Sequence, residues 1–144
     1  MSPVAVLARL EPAITDLAGP LFCDLAVPAG FPSPAQDYFE GRLDLNAHLI
    51  HDVTSTFLVR VSGHSMQGAG ISDGDELVVD RSLTPVDGSV VVAVLDGEMT
   101  VKRLRLNRGV VRLVAENPDY PDIEIPELAE MTIWGVVTRC LHHV

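Results

Sequence analysis

From residue 55 onward, apolar and polar residues alternate in short runs that are rich in β-branched side chains. Because successive side chains of a strand point to opposite faces, such runs predict β-strands. Turn signals such as Asp73-Gly74, Asp87-Gly88 and Asp96-Gly97 separate them. The predicted strands cover residues 56–61, 76–80, 89–95, 99–106, 110–115 and 131–140. This spacing predicts a mostly β chain whose antiparallel sheet is strongly bent or partly closed into a barrel.

Before residue 55 the pattern is shorter and more broken. Ser33 to Gln36 combines a serine cap, a proline at the first helical position and a glutamine at the third, which predicts a short helix from about Pro34 to Glu40. A local apolar pattern predicts a second short helix within Leu43 to Ile50. Residues 1–29 contain four prolines, and we interpret them as an N-terminal arm that is too apolar to be a solvated tail.

Composition favours some classes of binding partner and some cellular compartments over others. The 144 residues include 20 acidic and 10 basic side chains, a net charge of -10, which opposes binding to a phosphate backbone and favours protein partners. Two cysteines are too few for a disulfide framework and fit a reducing cytoplasm. No run approaches the roughly 18 apolar residues of a transmembrane helix. Val27 to Ala29 resembles the end of a signal peptide, but Arg9 is the only basic residue before it, so we disfavour secretion.

Ser65 is a candidate nucleophile because it lies in a small-residue turn, Gly63 to Gly68, just after the first predicted strand. The hydrolase motif G-x-S-x-G does not fit, since Gln67 replaces the second glycine and no long helix pattern follows. A serine hydroxyl also needs a base that accepts its proton. Among the histidines, His64 would point away from Ser65 in an extended segment, and His142 lies at the end of the chain, where a tail is expected.

Lys102 is the only lysine among the ten basic residues. The period of two places it on the face of Thr100, Leu104 and Leu106, which predicts apolar surroundings. Burial disfavours the charged amine and lowers the lysine pKa from about 10.4 toward neutrality, as a general base requires. Arginine stays protonated and could not take this role. The spacing alone leaves two interpretations equally open, a general base and a lysine that snorkels from a strand edge.

Several motifs together resemble the LexA/UmuD-like family of self-cleaving Ser-Lys peptidases over about residues 25–140. In chain order they are Gly30 to Ala35 with Asp37-Tyr38, Leu43 to Asn46, Ser62-Gly63 with Ser65-Met66, Gly70 to Asp75, Leu77 to Asp80, Asp96 to Glu98 with Thr100 to Lys102, Asn117 with Tyr120, and Trp134 to Val137. The resemblance implies a fold of the LexA C-terminal-domain type. It also implies a serine endopeptidase with Ser65 as nucleophile and Lys102 as general base.

The same resemblance implies that the enzyme cuts its own chain between Ala29 and Gly30, which divides it into an arm, residues 1–29, and a β domain, residues 30–144. Ala29 suits a small pocket, and Gly30 lets the backbone approach the nucleophile. His64 departs from the family pattern, which commonly has an acid there. Metal ligation is not predicted, because the histidines and cysteines lack closely spaced ligand pairs other than the terminal His142-His143, and no cofactor is implied.

The family also implies partners and a biological role in the SOS response to DNA damage. A RecA filament on single-stranded DNA would stimulate the cleavage. The processed homodimer would be an accessory subunit of an error-prone, UmuC-type translesion DNA polymerase, in the cytoplasm, without direct sequence-specific DNA binding and without a membrane. Two alternatives remain open: a dimeric interaction module without catalysis, and a fragment of a LexA-like repressor, although the arm's single arginine offers no phosphate-binding surface.

Overall fold

The computed structural model describes residues 19–23, 26–32, 34, 41–125 and 130–144. These residues belong to two compact units, residues 1–48 and 49–144. Most of the predicted arm and the predicted helix from Pro34 to Glu40 lie outside the described residues.

In the first unit, two short segments pair through their backbones. Leu21 and Arg42 form an isolated antiparallel bridge, and the Arg42 side chain donates to the carbonyl of Gly19. The helix α1, Leu45–Leu49, follows. Asp44 caps it by accepting a hydrogen bond from the backbone N–H of Asn46 at 3.0 Å. The second predicted helix is therefore confirmed, with bounds slightly inside the predicted range.

In its described residues, the second unit contains one antiparallel sheet of seven strands in the order β1-β2-β7-β3-β4-β5-β6. The strands are β1 (Thr56–Arg60), β2 (Glu76–Asp80), β3 (Val90–Leu95), β4 (Glu98–Asn107), β5 (Val110–Val114), β6 (Ile123–Glu124) and β7 (Met131–Leu141). The predicted mostly β, antiparallel architecture is confirmed, and each predicted strand is present to within a residue at either end. Within the described chain the sheet is open rather than closed into a barrel, since β1 and β6 are its two edges.

The sheet carries an apolar cluster on each of its faces, and β3 contributes to both. Val92 packs in one cluster, whereas its neighbours Val91 and Ala93 pack in the other, as the alternation of side chains along a strand requires. The buried members of the first cluster are Val61, Met66, Ile71, Leu77, Val79 and Val92. Those of the second are Val91, Ala93, Leu104, Leu113 and Val136. Burial on both faces explains why the central strands read as near-continuous apolar runs.

Gly135 on β7 marks the tightest packing in the centre of the sheet. A Cβ atom placed there would lie 2.5 Å from Cγ1 of Val79, which is fully buried. We expect Gly135→Ala to lower the free energy of unfolding by about 1–3 kcal/mol, because the core must shift to admit the methyl group. Chemical denaturation measures this, with Thr132→Ala at an exposed position of the same strand as control. Equal stabilities of the two variants would contradict the expectation.

Candidate active site

The Ser65 loop, residues 61–75, connects β1 to β2 and is held at both ends. Its ends pair through Val61 N–H to the Asp75 carbonyl and Gly74 N–H to the Val61 carbonyl, both at 2.8 Å. Gly63 has a φ of 103°, in the left-handed region that favours glycine. Met66 is only 2% exposed and anchors the loop in the first apolar cluster. The loop therefore presents Ser65 from a fixed backbone.

The loop also docks against the segment that follows β5. Glu116 N–H donates to the carbonyl of Ser65 at 2.8 Å, and Gly68 N–H donates to the carbonyl of Glu116 at 2.6 Å. The side-chain amide of Asn117 donates to the carbonyl of His64 at 2.8 Å. Three hydrogen bonds thus hold the backbone on both sides of the serine.

Lys102 lies in the middle of β4, and its Nζ is 3.0 Å from the Oγ of Ser65. The lysine is only 8% exposed, and the serine is half-buried. The structure therefore brings together two candidate residues that lie 37 positions apart in the sequence. On the predicted face, Lys102 and Leu104 are buried, whereas Leu106, near the end of the strand, is 43% exposed.

Two further acceptors surround the amine of Lys102. Nζ lies 2.9 Å from Oγ1 of Thr100 and 3.2 Å from the carbonyl oxygen of Val101. A neutral amine has two N–H donors and one lone pair, whereas an ammonium group has three donors and no lone pair. If the two donors serve Thr100 and Val101, the lone pair of the neutral amine is left for the hydroxyl of Ser65. An ammonium group would instead donate to all three oxygens, so the hydrogen-bond partners accommodate both protonation states.

The electrostatic surroundings favour the neutral form of Lys102. Burial lowers the pKa of Lys102 because it removes the charged amine from water. Among the described carboxylates, none forms an ion pair with Lys102 that would restore the charged state. The amine opens into a cleft of about 470 Å³, whose lining includes Val59, Val61, Met99, Val101 and Tyr120.

The buried amine has a consequence for stability. We expect Lys102→Met to raise the free energy of unfolding at pH 7 by about 1 kcal/mol, since it removes a buried charge at the cost of some hydrogen bonds. The pKa of Lys102 is lower in the folded chain than in the unfolded chain. At pH values between these two pKa values the unfolded chain binds more protons, so the free energy of unfolding of the wild type rises with pH. The advantage of Lys102→Met should therefore shrink as the pH approaches about 10.4. Urea unfolding at several pH values measures this, and a destabilised variant at pH 7 would contradict it.

The sequence also singled out His64, Ala29 and Gly30. His64 is exposed on the rim of the cleft, with its Nδ1 3.2 Å from the side-chain amide of Gln67. Ala29 and Gly30 are exposed and lie at a bend of the first unit. A Cβ atom at Gly30 would meet nothing within 4 Å, so the backbone there is accessible.

The structure also shows a hydrogen-bonded cluster around the buried Asp75 that the sequence patterns did not predict. Asp75 is 3% exposed, and its carboxylate lies 2.6 Å from Nδ1 of His142 and accepts from the thiol of Cys140 at 3.2 Å. Hydrogen bonds from the Ser72 backbone and from His142 lower the pKa of Asp75. Burial, together with the hydrogen bond to Asp75 and its charge, raises the pKa of the Cys140 thiol to about 11. His142 is therefore not a free tail, and it ties the end of β7 to the Ser65 loop.

Two classes of site are absent from the part of the chain that the structure describes. No three histidine, cysteine or acidic residues within it are grouped so that they could hold a metal ion. None of its helices is long and apolar enough to cross a membrane.

Comparison of the sequence with known protein families identifies relatives of this chain. Residues 20–138 match the Peptidase S24-like family, a span that includes Ser65, Lys102 and most of the sheet. The chain belongs to the Peptidase S24-like family. Membership assigns it to a family of peptidases and confirms the predicted fold class.

Similar proteins support the same assignment. The chain is 49% identical over 123 residues to the protein SamA of Salmonella typhimurium strain LT2, covering 85% of this chain and 84% of SamA. It is 48% identical over 116 residues to the protein MucA of Escherichia coli, covering 80% and 79%. A LexA repressor from Dechloromonas aromatica is 45% identical over 112 residues, which cover 77% of this chain but only 55% of the repressor. The resemblance to the LexA/UmuD-like family is thus confirmed.

Proposed function

We propose that this protein is a self-cleaving serine endopeptidase that uses Ser65 as nucleophile and Lys102 as general base. The observation that carries the proposal is the 3.0 Å approach of Nζ to Oγ, made by a lysine that is buried and free of described acidic partners. A neutral amine at this distance can accept the hydroxyl proton as the serine attacks a carbonyl carbon. The interpretation of Lys102 as a snorkelling residue is disfavoured, since only 8% of it is exposed.

The scissile bond in this proposal is Ala29–Gly30. Lys102 takes the proton of Ser65 while Oγ forms a bond to the carbonyl carbon of Ala29. The tetrahedral intermediate collapses, the C–N bond breaks, and the protonated lysine delivers its proton to the departing amine of Gly30. Water then attacks the ester carbon while Lys102 takes a proton from it, and the protonated lysine returns this proton to Oγ as the ester bond breaks, which releases the Ala29 carboxyl group and free Ser65. The family resemblance and the small side chains at both positions support this choice of bond.

The backbone N–H of Ser65 is the proposed donor to the developing oxyanion. Within the described residues, this N–H makes no hydrogen bond to another protein group. The hydrogen bonds to the carbonyls of His64 and Ser65 fix the peptide planes beside it. A preorganised donor of this kind stabilises the charge of the intermediate without needing to reorient during the reaction.

We further propose that the protein serves the SOS response in the manner of UmuD-like proteins. A RecA filament on single-stranded DNA would stimulate cleavage, and residues 30–144 would form a homodimer that assists an error-prone, UmuC-type DNA polymerase in translesion synthesis. Support comes from membership in the Peptidase S24-like family and from similarity to SamA and MucA over most of their lengths. The net charge of -10 fits protein partners better than naked DNA.

The test is to incubate the purified protein with a RecA filament assembled on single-stranded DNA, or alone at alkaline pH, and to follow its intact mass. The expected result is loss of residues 1–29 and a product that begins at Gly30. Omission of RecA at neutral pH serves as the control for stimulation. An unchanged mass under both conditions would reject the peptidase and favour the alternative of an interaction module, and a different new N-terminus would reject the proposed bond.

A further inference from the structure

Arg103 and Glu116 form a half-buried ion pair immediately behind the candidate active site. Arg103 Nε donates to Oε1 of Glu116, and the arginine's Nη1 donates to the carbonyl of Gly88 at 2.7 Å. The two side chains are 24% and 31% exposed. We propose that this ion pair is a positioning device that holds the Ser65 loop at the correct distance from Lys102, an inference that rests on the proposed peptidase function.

Glu116 holds the Ser65 loop through its backbone. Its backbone N–H and carbonyl bind the Ser65 carbonyl and the Gly68 N–H, so one residue grips the loop on both sides of Met66. A Cβ atom at Gly68 would lie 2.6 Å from the Glu116 carbonyl oxygen, which shows how closely the two backbones approach. Any movement of Glu116 is therefore transmitted to Ser65.

Arg103 connects the strand of the candidate base to Glu116. It follows Lys102 on β4, so its side chain emerges on the opposite face of the strand. Its register partner on β5 is Val114, which lies on the same face of the sheet as Arg103. Glu116 follows two residues after Val114. The ion pair thus links the strand that carries the base to the residue that grips the nucleophile loop, without contact to either reacting atom.

The two contacts of the Arg103 guanidinium restrict the geometry of the ion pair. An arginine that also bonds a backbone carbonyl has two of its donors fixed, and a partly desolvated pair is less screened by water than an exposed one. Serine and lysine must stay within hydrogen-bond distance for proton transfer, and misplacement by about 1 Å can lower a rate about a hundredfold. Loss of the ion pair should therefore reduce the rate of cleavage while leaving the pKa of Lys102 in place, since burial sets that pKa.

The test measures first-order self-cleavage against pH for Arg103→Ala, Glu116→Gln and the reversed pair Arg103→Glu/Glu116→Arg. We expect the rate at high pH to fall by about 10-fold to 100-fold in each single variant, with the midpoint of the pH profile unchanged. The reversed pair should recover part of the loss. Arg105→Ala is the matched control, because Arg105 lies on the same face of β4 in an exposed ion pair with Asp87 at 3.9 Å.

A second readout does not depend on cleavage. We expect hydrogen exchange of the Gly68 and Glu116 amides to accelerate at least about tenfold in Arg103→Ala and Glu116→Gln, but not in Arg105→Ala, because these amides hold the Ser65 loop. Gly68→Ala, which forces the loop away from Glu116 directly, should reproduce both effects with the ion pair intact.

The outcomes separate this inference from the proposed function. Wild-type rates and wild-type amide protection in folded Arg103→Ala would overturn the positioning role, as would an equal loss in Arg105→Ala. A shifted pH midpoint with an unchanged plateau would also overturn it, because it would assign Arg103 an electrostatic effect on Lys102. If the wild-type mass never changes, the peptidase proposal fails, and amide exchange still decides whether the ion pair holds the loop.

Discussion

Replacing Lys102 with alanine is expected to lower the rate of self-cleavage about a thousandfold, and replacing Ser65 with alanine to abolish it. The lysine variant keeps the nucleophile and the proposed oxyanion donor but lacks the group that accepts the proton, and a positioned base contributes about 10²-fold to 10⁴-fold. The serine variant lacks the atom that forms the acyl bond. Intact-mass kinetics at pH 9 to 10, with and without the RecA filament, measure both.

Two further variants make this result specific. Lys102→Arg retains a cationic side chain but stays protonated, so it should be as inactive as Lys102→Ala. Leu106→Met, at a 43% exposed position of the same strand outside the lining of the cleft, should fold and cleave like the wild type, and it controls for handling and purity. Circular dichroism and thermal unfolding must show that each inactive variant is folded. Cleavage at an undiminished rate in Lys102→Ala would refute the assigned base.

The strands could be predicted because burial imposes a regular pattern on them. β4 shows this best, since the period of two places Lys102 and Leu104 on one face, and both side chains are buried. Leu106, farther along the same face, is 43% exposed, because burial ends before the strand does. β6 was missed because its two residues, Ile123 and Glu124, are too few to show a period.

The contacts of the candidate site were harder to predict, since they join distant parts of the chain. Ser65 and Lys102 are 37 residues apart, and only the family resemblance linked them. The pairing of Glu116 with Arg103 had no periodic signal, because Glu116 follows the end of β5. The buried Asp75 cluster depends on the register of β2 with β7, a long-range pairing that local sequence does not encode.

The sequence predicted the position of Thr100 but not its contact with Lys102. The strand period places it on the face of Lys102, but its role as a hydrogen-bond acceptor required the 2.9 Å distance in the structure. Together with the Val101 carbonyl it accounts for both donors of a neutral amine. These contacts would also satisfy the three donors of a protonated lysine, so it is burial of the charge, and not a lack of acceptors, that favours the neutral amine.

The rate of self-cleavage without RecA is therefore expected to rise with pH, by about tenfold per pH unit below the pKa of Lys102 in the folded chain, and to level off above it. The sign follows from the chemistry: only the neutral amine accepts the serine proton, and burial lowers this pKa so that the neutral fraction appears earlier than in a free lysine. Between pH 6 and pH 8 the rate should change about a hundredfold if this pKa lies above that interval. First-order rates from intact mass across pH 5 to 11 measure the profile.

The profile also distinguishes Lys102 from His64, the histidine on the rim of the cleft. If His64 were the base, the rise of the rate with pH would disappear in His64→Ala. With Lys102 as the base, the alkaline rise persists in His64→Ala at the same midpoint and disappears in Lys102→Arg. A rise that His64→Ala removes and Lys102→Arg retains would assign the base to the histidine and leave the 3.0 Å contact between Nζ and Oγ a structural one.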